Sequence, residues 1–326
     1  MHAMHRPARA PGRAFFAVAA LLSLLAIAAL TGCGSSSSGS ASASGSGAAT
    51  PGAIAAVGAE NEYANVIEQI GGRYVKVSAI ESNPNTDPHT FEASPSVAQE
   101  VSQAKLIVQN GVGYDTYMEK IESATPSSSR KVIDVQKLLG LPESTPNPHL
   151  WYKPTTMPAV ARALAADLSA LQPTHAAYFQ ANARTFEASL QPWLTALRQF
   201  SARYPNTTAA TTEPVGDYML EAAGIKNLTP FGMQADIMNG TDVSPQDVSL
   251  QDRLFADHTV KVFVYNQQVT DSVTEGFLKQ AAHAGVPVVG VYETMPTPGY
   301  DYQSWMLAEL TALERAVADR ASTQKL

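Results

Sequence analysis

Short β-rich runs alternate with amphipathic stretches from residue 53 to the C-terminus, and this alternation limits the possible folds more than any other feature of the sequence. Brief apolar strands separated by helices are typical of a parallel sheet that is covered on both faces. The strand-like runs are residues 54–57, 75–80, 106–108, 132–134, 209–212, 261–265 and 286–291. They fall into two groups with a long helical stretch between them. We therefore predict an α/β fold of two Rossmann-like lobes with parallel sheets, joined by a long connecting helix.

The predicted connecting helix covers residues 174–204, where aromatic and leucine side chains recur near helical spacing. Pro192 should kink or split this helix, because proline lacks the amide hydrogen that a helix interior uses. The connector places the N-terminal lobe at residues 52–173 and the C-terminal lobe at residues 205–326. The other helices are predicted at residues 62–70, 95–104, 114–122, 215–223, 245–256, 271–284 and 302–320.

The first 51 residues are predicted to direct export and then to tether the folded body. Three arginines precede an uncharged apolar run at residues 15–30, which is short for a spanning helix and typical of a signal-peptide core. The run ends in Leu-Thr-Gly-Cys, which resembles a bacterial lipobox. We predict a signal peptide at residues 1–32, lipidation of Cys33 and a flexible Ser/Gly/Ala-rich tether at residues 33–51. The exported chain would be anchored by lipid to the outer face of the cell membrane. A signal anchor that is not cleaved is the alternative.

Charge and cysteine content exclude several classes of function. The formal net charge is −7, and removing residues 1–32, which hold three arginines and no acid, takes it to −10. Such a negative balance argues against a nucleic-acid-binding protein. The single cysteine excludes a disulfide scaffold and a cysteine-type zinc finger, so any site chemistry must come from His, Asp and Glu.

Two of the five histidines that follow Cys33 have matching surroundings. His89 lies in the sequence Asp-Pro-His-Thr-Phe and His149 in Asn-Pro-His-Leu-Trp. The proline before each histidine restricts the backbone, and the aromatic residue two positions later can pack into the lobe. Histidines 175, 258 and 283 do not lie in a motif with acidic residues or other histidines. We predict a solvated structural role for them.

Two glutamates lie where strands of the second group end. Glu213 follows the run 209–212, and Glu293 follows the run 286–291. Ligands of open α/β sheets bind outside the carboxyl ends of the strands. Each glutamate alone could be a helix-start acid that interacts with the helix dipole. Together with His89 and His149 they make a plausible set of two imidazoles and two carboxylates, one pair from each lobe.

The chain from residue 54 onward resembles the metal-binding lipoproteins of bacterial ABC importers, the zinc and manganese receptors of the cluster A-I type. The resemblance rests on separated motifs in a shared order: Gly71-Gly72, Asp87-Pro88-His89, Pro148-His149-Leu150-Trp151, the long connector, Glu213-Pro214, Ser244-Pro245 and Val286-Pro287-Val288. It implies one divalent transition-metal ion as cargo between two lobes, a membrane permease with a cytoplasmic ATPase as partners, and no enzymatic activity.

Carried over by residue, the resemblance makes His89 and His149 the ligands of the first lobe. Glu213 matches the third position, which is glutamate in manganese receptors and usually histidine in zinc receptors. Glu293 matches the fourth, where the family commonly has aspartate, and Asp271 and Asp301 are alternatives for that position. Asn147 also replaces a usual aspartate.

Imidazole and carboxylate ligands suit Zn²⁺ or Mn²⁺, and the choice between them stays open. Bidentate glutamates would favour Mn²⁺, whereas the Irving–Williams order favours Zn²⁺. The competing functions are a metal-independent surface adhesin, an organic-solute receptor and a secreted metallohydrolase. The last is disfavoured because catalytic zinc keeps an open position for water, and no His-Glu-x-x-His sequence is present.

Overall fold

The structure, a computed structural model, describes residue 50 and residues 52–326. The predicted signal peptide and Cys33 lie outside the described residues, as does all of the predicted tether except Thr50. Among the residues described, no helix is both long enough and apolar enough to cross a membrane.

The first sheet is four-stranded and parallel, with the strand order β2-β1-β3-β4. Its strands are β1 (Ile54–Glu60), β2 (Val75–Glu81), β3 (Leu106–Gln109) and β4 (Lys131–Asp134). Its helices are α1 (Asn61–Gly71), α2 (Pro95–Gln103), α3 (Thr116–Ala124), α4 (Val135–Leu138) and α5 (Thr156–Leu171). Ser94 caps α2 by accepting a hydrogen bond from the Val97 amide, and Pro95 occupies the first turn, as the sequence indicates.

The second sheet repeats this topology with the order β6-β5-β7-β8, again all parallel. Its strands are β5 (Thr208–Thr211), β6 (Lys226–Asn227), β7 (Val262–Asn266) and β8 (Val288–Val291). Its helices are α8 (Asp217–Ala222), α9 (Phe231–Met238), α10 (Pro245–Ala256), α11 (Ser272–His283) and α12 (Tyr302–Asp319). The α/β fold with two parallel sheets is therefore confirmed.

Two helices, not one, occupy the stretch predicted as a connecting helix. They are α6 (Ala176–Ser189) and α7 (Gln191–Arg203), which meet at Leu190. Pro192 lies in the first turn of α7, where its missing amide hydrogen is tolerated, so the split follows from this residue. Helix α6 packs on α1 and α5, whereas α7 packs on α8 and α12. The exact lobe boundaries remain a prediction.

Helices α4, α5 and α9 and strand β6 were not predicted. Helix α5 buries one face, on which apolar side chains recur at helical spacing from Met157 to Leu168, so this pattern was present in the sequence and was missed. Strand β6 has only two residues and is defined by its pairing with Thr208 and Ala209 of β5. A strand of two residues leaves no periodic pattern that sequence reasoning can read.

The two sheets share one apolar core. Tyr63 and Trp151 from the first lobe, Trp193 from α7 and Tyr302 from α12 belong to the same buried cluster. The Tyr302 hydroxyl donates a hydrogen bond of 2.6 Å to the Trp151 carbonyl, and ring edges meet between Trp193 and Tyr302. The two lobes are thus held together by packing as well as by the chain that links them.

The first testable prediction concerns Glu309, which is fully buried on α12. Its Oε1 lies 2.8 Å from both the Tyr152 hydroxyl and the Trp305 indole nitrogen, and burial raises its pKa to about 8. The folded chain therefore holds a proton that the unfolded chain releases above its ordinary pKa of 4.5. Stability from this group falls by up to about 1.4 kcal/mol per pH unit as pH rises from about 5 to about 8.

Glu309→Gln stays neutral and keeps the Oε1 acceptor, so we expect it to gain stability relative to the unmodified chain at about pH 9 and not at about pH 5. Urea unfolding at both pH values measures the difference. Glu314→Gln, at a partly exposed position on the same helix, is the control and should show no such pH dependence. Parallel stability curves for the Glu309 variant and the unmodified chain would contradict the prediction.

Candidate metal centre

The four predicted site residues all lie in short segments just beyond regular elements. His89 is in a 3₁₀ turn (Pro88–Thr90) after β2, where the Asp87 carboxylate accepts a hydrogen bond of 2.8 Å from the His89 amide. His149 directly precedes a second 3₁₀ turn (Leu150–Tyr152). Glu213 and Glu293 each lie two residues after a strand, β5 and β8. The sheet edges therefore bring side chains together that are far apart in sequence.

These side chains converge on the Oε2 atom of Glu293. It lies 3.1 Å from the Nε2 atom of His89 and 3.0 Å from the Nε2 atom of His149. All three side chains offer ligand atoms that lie within 4.8 Å of one another, the arrangement needed to hold a metal ion. The Oε2 atom of Glu213 lies 4.0 Å from the Nε2 atom of His89.

The alternative carboxylates for the fourth position cap helices instead. Asp271 accepts hydrogen bonds from the amides of Val273 and Thr274 at the start of α11. Asp301 forms the corresponding capping box with Ser304 at the start of α12. Both carboxylates are thereby engaged at helix N-termini. Histidines 258 and 283 are exposed, while His175 stacks on the Tyr74 ring at a centroid distance of 3.8 Å.

His149 is fixed in one orientation by Asn147. The Oδ1 atom of Asn147 lies 2.8 Å from Nδ1 of His149 and accepts from its backbone amide at 3.0 Å. With Nδ1 as the donor, a protonated ring donates from Nε2 to Glu293, whereas a neutral ring turns the lone pair of Nε2 toward it. In the neutral ring, the lone pair of Nε2 and the carboxylate oxygen of Glu293, 3.0 Å apart, repel each other. A cation bound between them would remove this repulsion. Asn147 also donates to the Pro214 carbonyl at 2.7 Å, which links this ligand segment to that of Glu213.

Two residues that the sequence did not single out hold the carboxylates. Asn266, the last residue of β7, donates through Nδ2 to Oε1 of Glu213 at 3.0 Å and to Oε1 of Glu293 at 2.6 Å. The Tyr114 hydroxyl donates to Oε2 of Glu293 at 3.0 Å. The strand-end rule that identified the glutamates applies equally to Asn266, whereas no local pattern marks Tyr114.

Burial and mutual charge set the protonation of the four groups. Burial raises the pKa of Glu213, and the charge of Glu293 raises it further. Burial also raises the pKa of Glu293, but hydrogen bonds and charge from the two imidazoles outweigh it and hold this pKa well below its usual range. Burial lowers the pKa of both histidines. For His89 the hydrogen bond and charge of Glu293 outweigh burial, so its pKa is raised, whereas the pKa of His149 stays lowered. The Oε2 atom of Glu213 is buried and has no hydrogen-bond partner among the described residues, which fits a cation ligand.

Three further buried acids lie near the centre. Burial raises the pKa of Glu60 and Glu62 well above the usual range and that of Glu81 to about 9. With a pKa of about 9, Glu81 holds a proton at neutral pH. Glu293, whose pKa is held below its usual range, supplies negative charge next to the histidines.

Solvent reaches the centre from the side of His89. This side chain is 23% exposed, whereas those of His149, Glu213 and Glu293 are fully buried. A cavity of about 420 Å³ adjoins His89 and is lined also by Tyr114, among other residues. The arrangement is thus a pair of imidazoles and a pair of carboxylates in a protein interior with one accessible edge.

Residues 57–316 match the sequence model of the zinc-uptake complex component A family, described as periplasmic and abbreviated ZnuA. The chain belongs to this family. This family consists of periplasmic metal-binding proteins. The resemblance inferred from the separated motifs is therefore confirmed.

Three relatives illustrate the similarity. A candidate metal-binding protein of Thermotoga maritima is 34% identical over 94 residues, which cover 29% of this chain and only 33% of that protein. The periplasmic zinc-binding protein TroA of Treponema pallidum has a TM-score of 0.69 at 18% identity, covering 83% of this chain and 100% of that one. A manganese-bound S38A variant of a periplasmic metal-binding protein from Candidatus Liberibacter asiaticus has a TM-score of 0.67 at 19% identity, covering 81% and 99%. At such identities the two structures establish the shared fold.

The second prediction concerns Asn147. Asn147→Ala removes the acceptor that orients the His149 ring, so we expect metal affinity to fall by about 10- to 100-fold with the stoichiometry unchanged. Competition with a chelating dye measures the affinity. Asn239→Ala is the matched control, because Asn239 is exposed and its amide bonds only to its own helix. Unchanged affinity in a folded Asn147 variant would contradict the role of this residue.

Proposed function

We propose that this chain captures one divalent transition-metal ion, Zn²⁺ or Mn²⁺, and delivers it to an ABC importer. The ligands are His89, His149, Glu213 and Glu293. The observation that carries the proposal is the convergence of His89, His149 and Glu293 on one point, with the buried Oε2 atom of Glu213 4.0 Å from His89.

The charges and spacing of the centre suit a divalent ion. Two carboxylates balance its charge, and neutral imidazoles add nitrogen donors without further charge. Zinc bonds to nitrogen and oxygen are about 2.0–2.2 Å long, which places tetrahedral ligand atoms about 3.3 Å apart. The distances of 3.0, 3.1 and 4.0 Å among the four side chains bracket that separation.

The same contacts disfavour the competing functions. An organic solute needs a cavity between the lobes, but here the side chains of both lobes already touch at about hydrogen-bond distance. A zinc hydrolase would keep one metal position open to water, whereas four protein ligands close a tetrahedral site. The function of a surface adhesin would not require two fully buried carboxylates beside two histidines, and burying them is costly.

Anchoring and delivery rest on the N-terminal sequence and on the family. The lipobox-like tetrapeptide supports lipidation of Cys33, and the tether at residues 33–51 gives the folded body reach from the outer face of the membrane. The name of the family describes one component of an uptake complex, which supports a membrane permease with a cytoplasmic ATPase as partners. Relatives whose names specify zinc or manganese support both ions as candidates.

The third prediction is metal-dependent stabilisation. Because the ligands come from both lobes, metal binds the folded chain in preference to the unfolded one. Binding at about 100 times the dissociation constant should add about 2.7 kcal/mol to the free energy of unfolding. Elemental analysis should give about one ion per chain, since the ligands form a single site. Thermal unfolding after chelation, with and without added Zn²⁺ or Mn²⁺, measures the shift.

His149→Ala and Glu293→Ala each remove a ligand, so each should reduce affinity by at least about 100-fold and abolish most of the thermal shift. His283→Ala is the control, because this histidine is exposed at the end of α11. A chain that binds neither metal, or whose unfolding temperature neither metal moves, would refute the proposed function.

The fourth prediction concerns the anchor. Cys33→Ser should move the chain from the membrane fraction to the soluble fraction and leave metal affinity unchanged, because lipid and metal attach at separate places. Cell fractionation and labelling with a fatty-acid analogue measure the outcome, with Ser35→Ala as the control. Continued membrane association of the Cys33 variant, without label, would instead support an uncleaved signal anchor.

A further inference from the structure

Asn266 lies between the two carboxylates of the candidate metal centre and is held rigidly. It is 1% exposed at the end of β7. Its Oδ1 atom accepts from the Gln268 amide at 3.0 Å, and its own backbone amide donates to the Thr212 hydroxyl at 3.0 Å. Because Oδ1 is occupied by an amide donor, Nδ2 is the atom that must face the carboxylates.

This nitrogen contacts the Oε1 atom of each glutamate. The Oε1 atoms of Glu213 and Glu293 lie 3.0 Å and 2.6 Å from Nδ2 of Asn266. The Oε2 atoms are the ones beside the imidazoles: that of Glu293 lies 3.1 Å and that of Glu213 lies 4.0 Å from Nε2 of His89. Each carboxylate therefore turns one oxygen to the amide and the other to the histidines.

This division limits how many donor atoms the acids can supply. Bidentate binding would draw both Oε1 atoms toward the ion and away from Nδ2, leaving a buried amide donor without its partners. Monodentate binding keeps both hydrogen bonds. With two imidazole nitrogens and two Oε2 atoms, the ion has four protein ligands.

Further contacts immobilise Glu293. The Tyr114 hydroxyl holds Oε2 at 3.0 Å, and the Gln268 side chain accepts from the backbone amides of Glu293 and Thr294 at 2.7 Å and 2.8 Å. Rotation of this carboxylate into a bidentate position would break or lengthen its hydrogen bonds with Asn266 and Tyr114. Asn266 is therefore the group that holds the Oε1 atoms of both acids, while Tyr114 and Gln268 fix the position of Glu293 around it.

We infer that Asn266 is a specificity-determining residue that keeps Glu213 and Glu293 monodentate and thereby makes the centre selective for Zn²⁺ over Mn²⁺. This inference rests on the proposed function and names its cargo. Zinc favours four nitrogen and oxygen ligands in a tetrahedron, whereas manganese favours six positions rich in oxygen. The glutamate at position 213, which the family resemblance associates with manganese, is on this view restrained by its neighbour into a zinc ligand.

The test compares the full chain with its Asn266→Ala variant by competitive titration of Zn²⁺ and Mn²⁺. Release of the two Oε1 atoms should lower the ratio of zinc to manganese affinity by at least about ten-fold, through improved relative binding of manganese. Asn227→Ala is the matched control, since the Asn227 amide also bridges two side chains in this lobe, those of Thr211 and Asp217. Its affinity ratio should equal that of the unmodified chain.

X-ray absorption of the zinc-loaded unmodified chain provides a second measurement that does not depend on a variant's folding. We expect about four nitrogen and oxygen neighbours at about 2.0–2.1 Å. Five or six neighbours around zinc, or an unchanged affinity ratio in a folded Asn266 variant, would overturn the inference and leave metal capture intact. Failure of the unmodified chain to bind either ion would instead overturn the proposed function, and the inference with it.

Discussion

The shared contact of two imidazoles with one buried carboxylate is the interaction on which the arrangement of the centre depends. Glu293 is fully buried, and a lone carboxylate in such a place would be strongly destabilising. Here it is compensated by His89 and His149 from one lobe and by Tyr114 and Asn266 around it. Because the compensating groups come from both lobes, the charge of Glu293 is stabilised only when the lobes are together.

Packing and hydrogen bonds elsewhere reinforce this pairing of the lobes. Asn61 at the start of α1 exchanges two hydrogen bonds with the backbone of Met295, at 2.8 Å and 2.9 Å. The Gln268 side chain links the second lobe to the Thr86 carbonyl of the segment that bears His89, at 2.8 Å. The centre is therefore built on a framework that is already closed by neutral contacts, and a bound ion adds to that framework. Among the four proposed ligand residues, His89 is the one whose side chain is partly exposed.

The sequence predicts the parts of this molecule whose signals are local. Short apolar runs bounded by polar loops locate seven of the eight strands among the described residues, and the strand-end rule locates Glu213 and Glu293. The split at Leu190 follows from Pro192 alone. Helix α5 was missed although its buried face carries apolar residues at helical spacing, whereas β6 has only two paired residues and therefore no period to detect.

The surroundings of the ligands could be anticipated only in part. Asn266 ends a central strand, so the rule that selects Glu213 and Glu293 also selects it, provided that amides are considered with acids. Tyr114 comes from a loop before α3, and its contact with Glu293 spans 179 positions of sequence. Only the tertiary fold creates that contact. Phe91 and Trp151 hold equivalent places after the two histidines, yet Trp151 packs on its histidine at 5.4 Å while Phe91 packs on Tyr117.

The two asparagines at the centre also account for its charge. Asn147 and Asn266 are neutral amides that contact a ligand or its neighbour, and the resemblance associates the first position with aspartate. A carboxylate at either place would put a third negative charge beside Glu213 and Glu293, where burial already raises the pKa of Glu213. A divalent ion neutralises two charges and not three, so an added carboxylate would have to bind a proton or leave the centre with net charge in a buried site. Amides add no charge, and the amide of Asn266 also donates hydrogen bonds that a carboxylate could not, so one divalent cation can balance the charge of the centre.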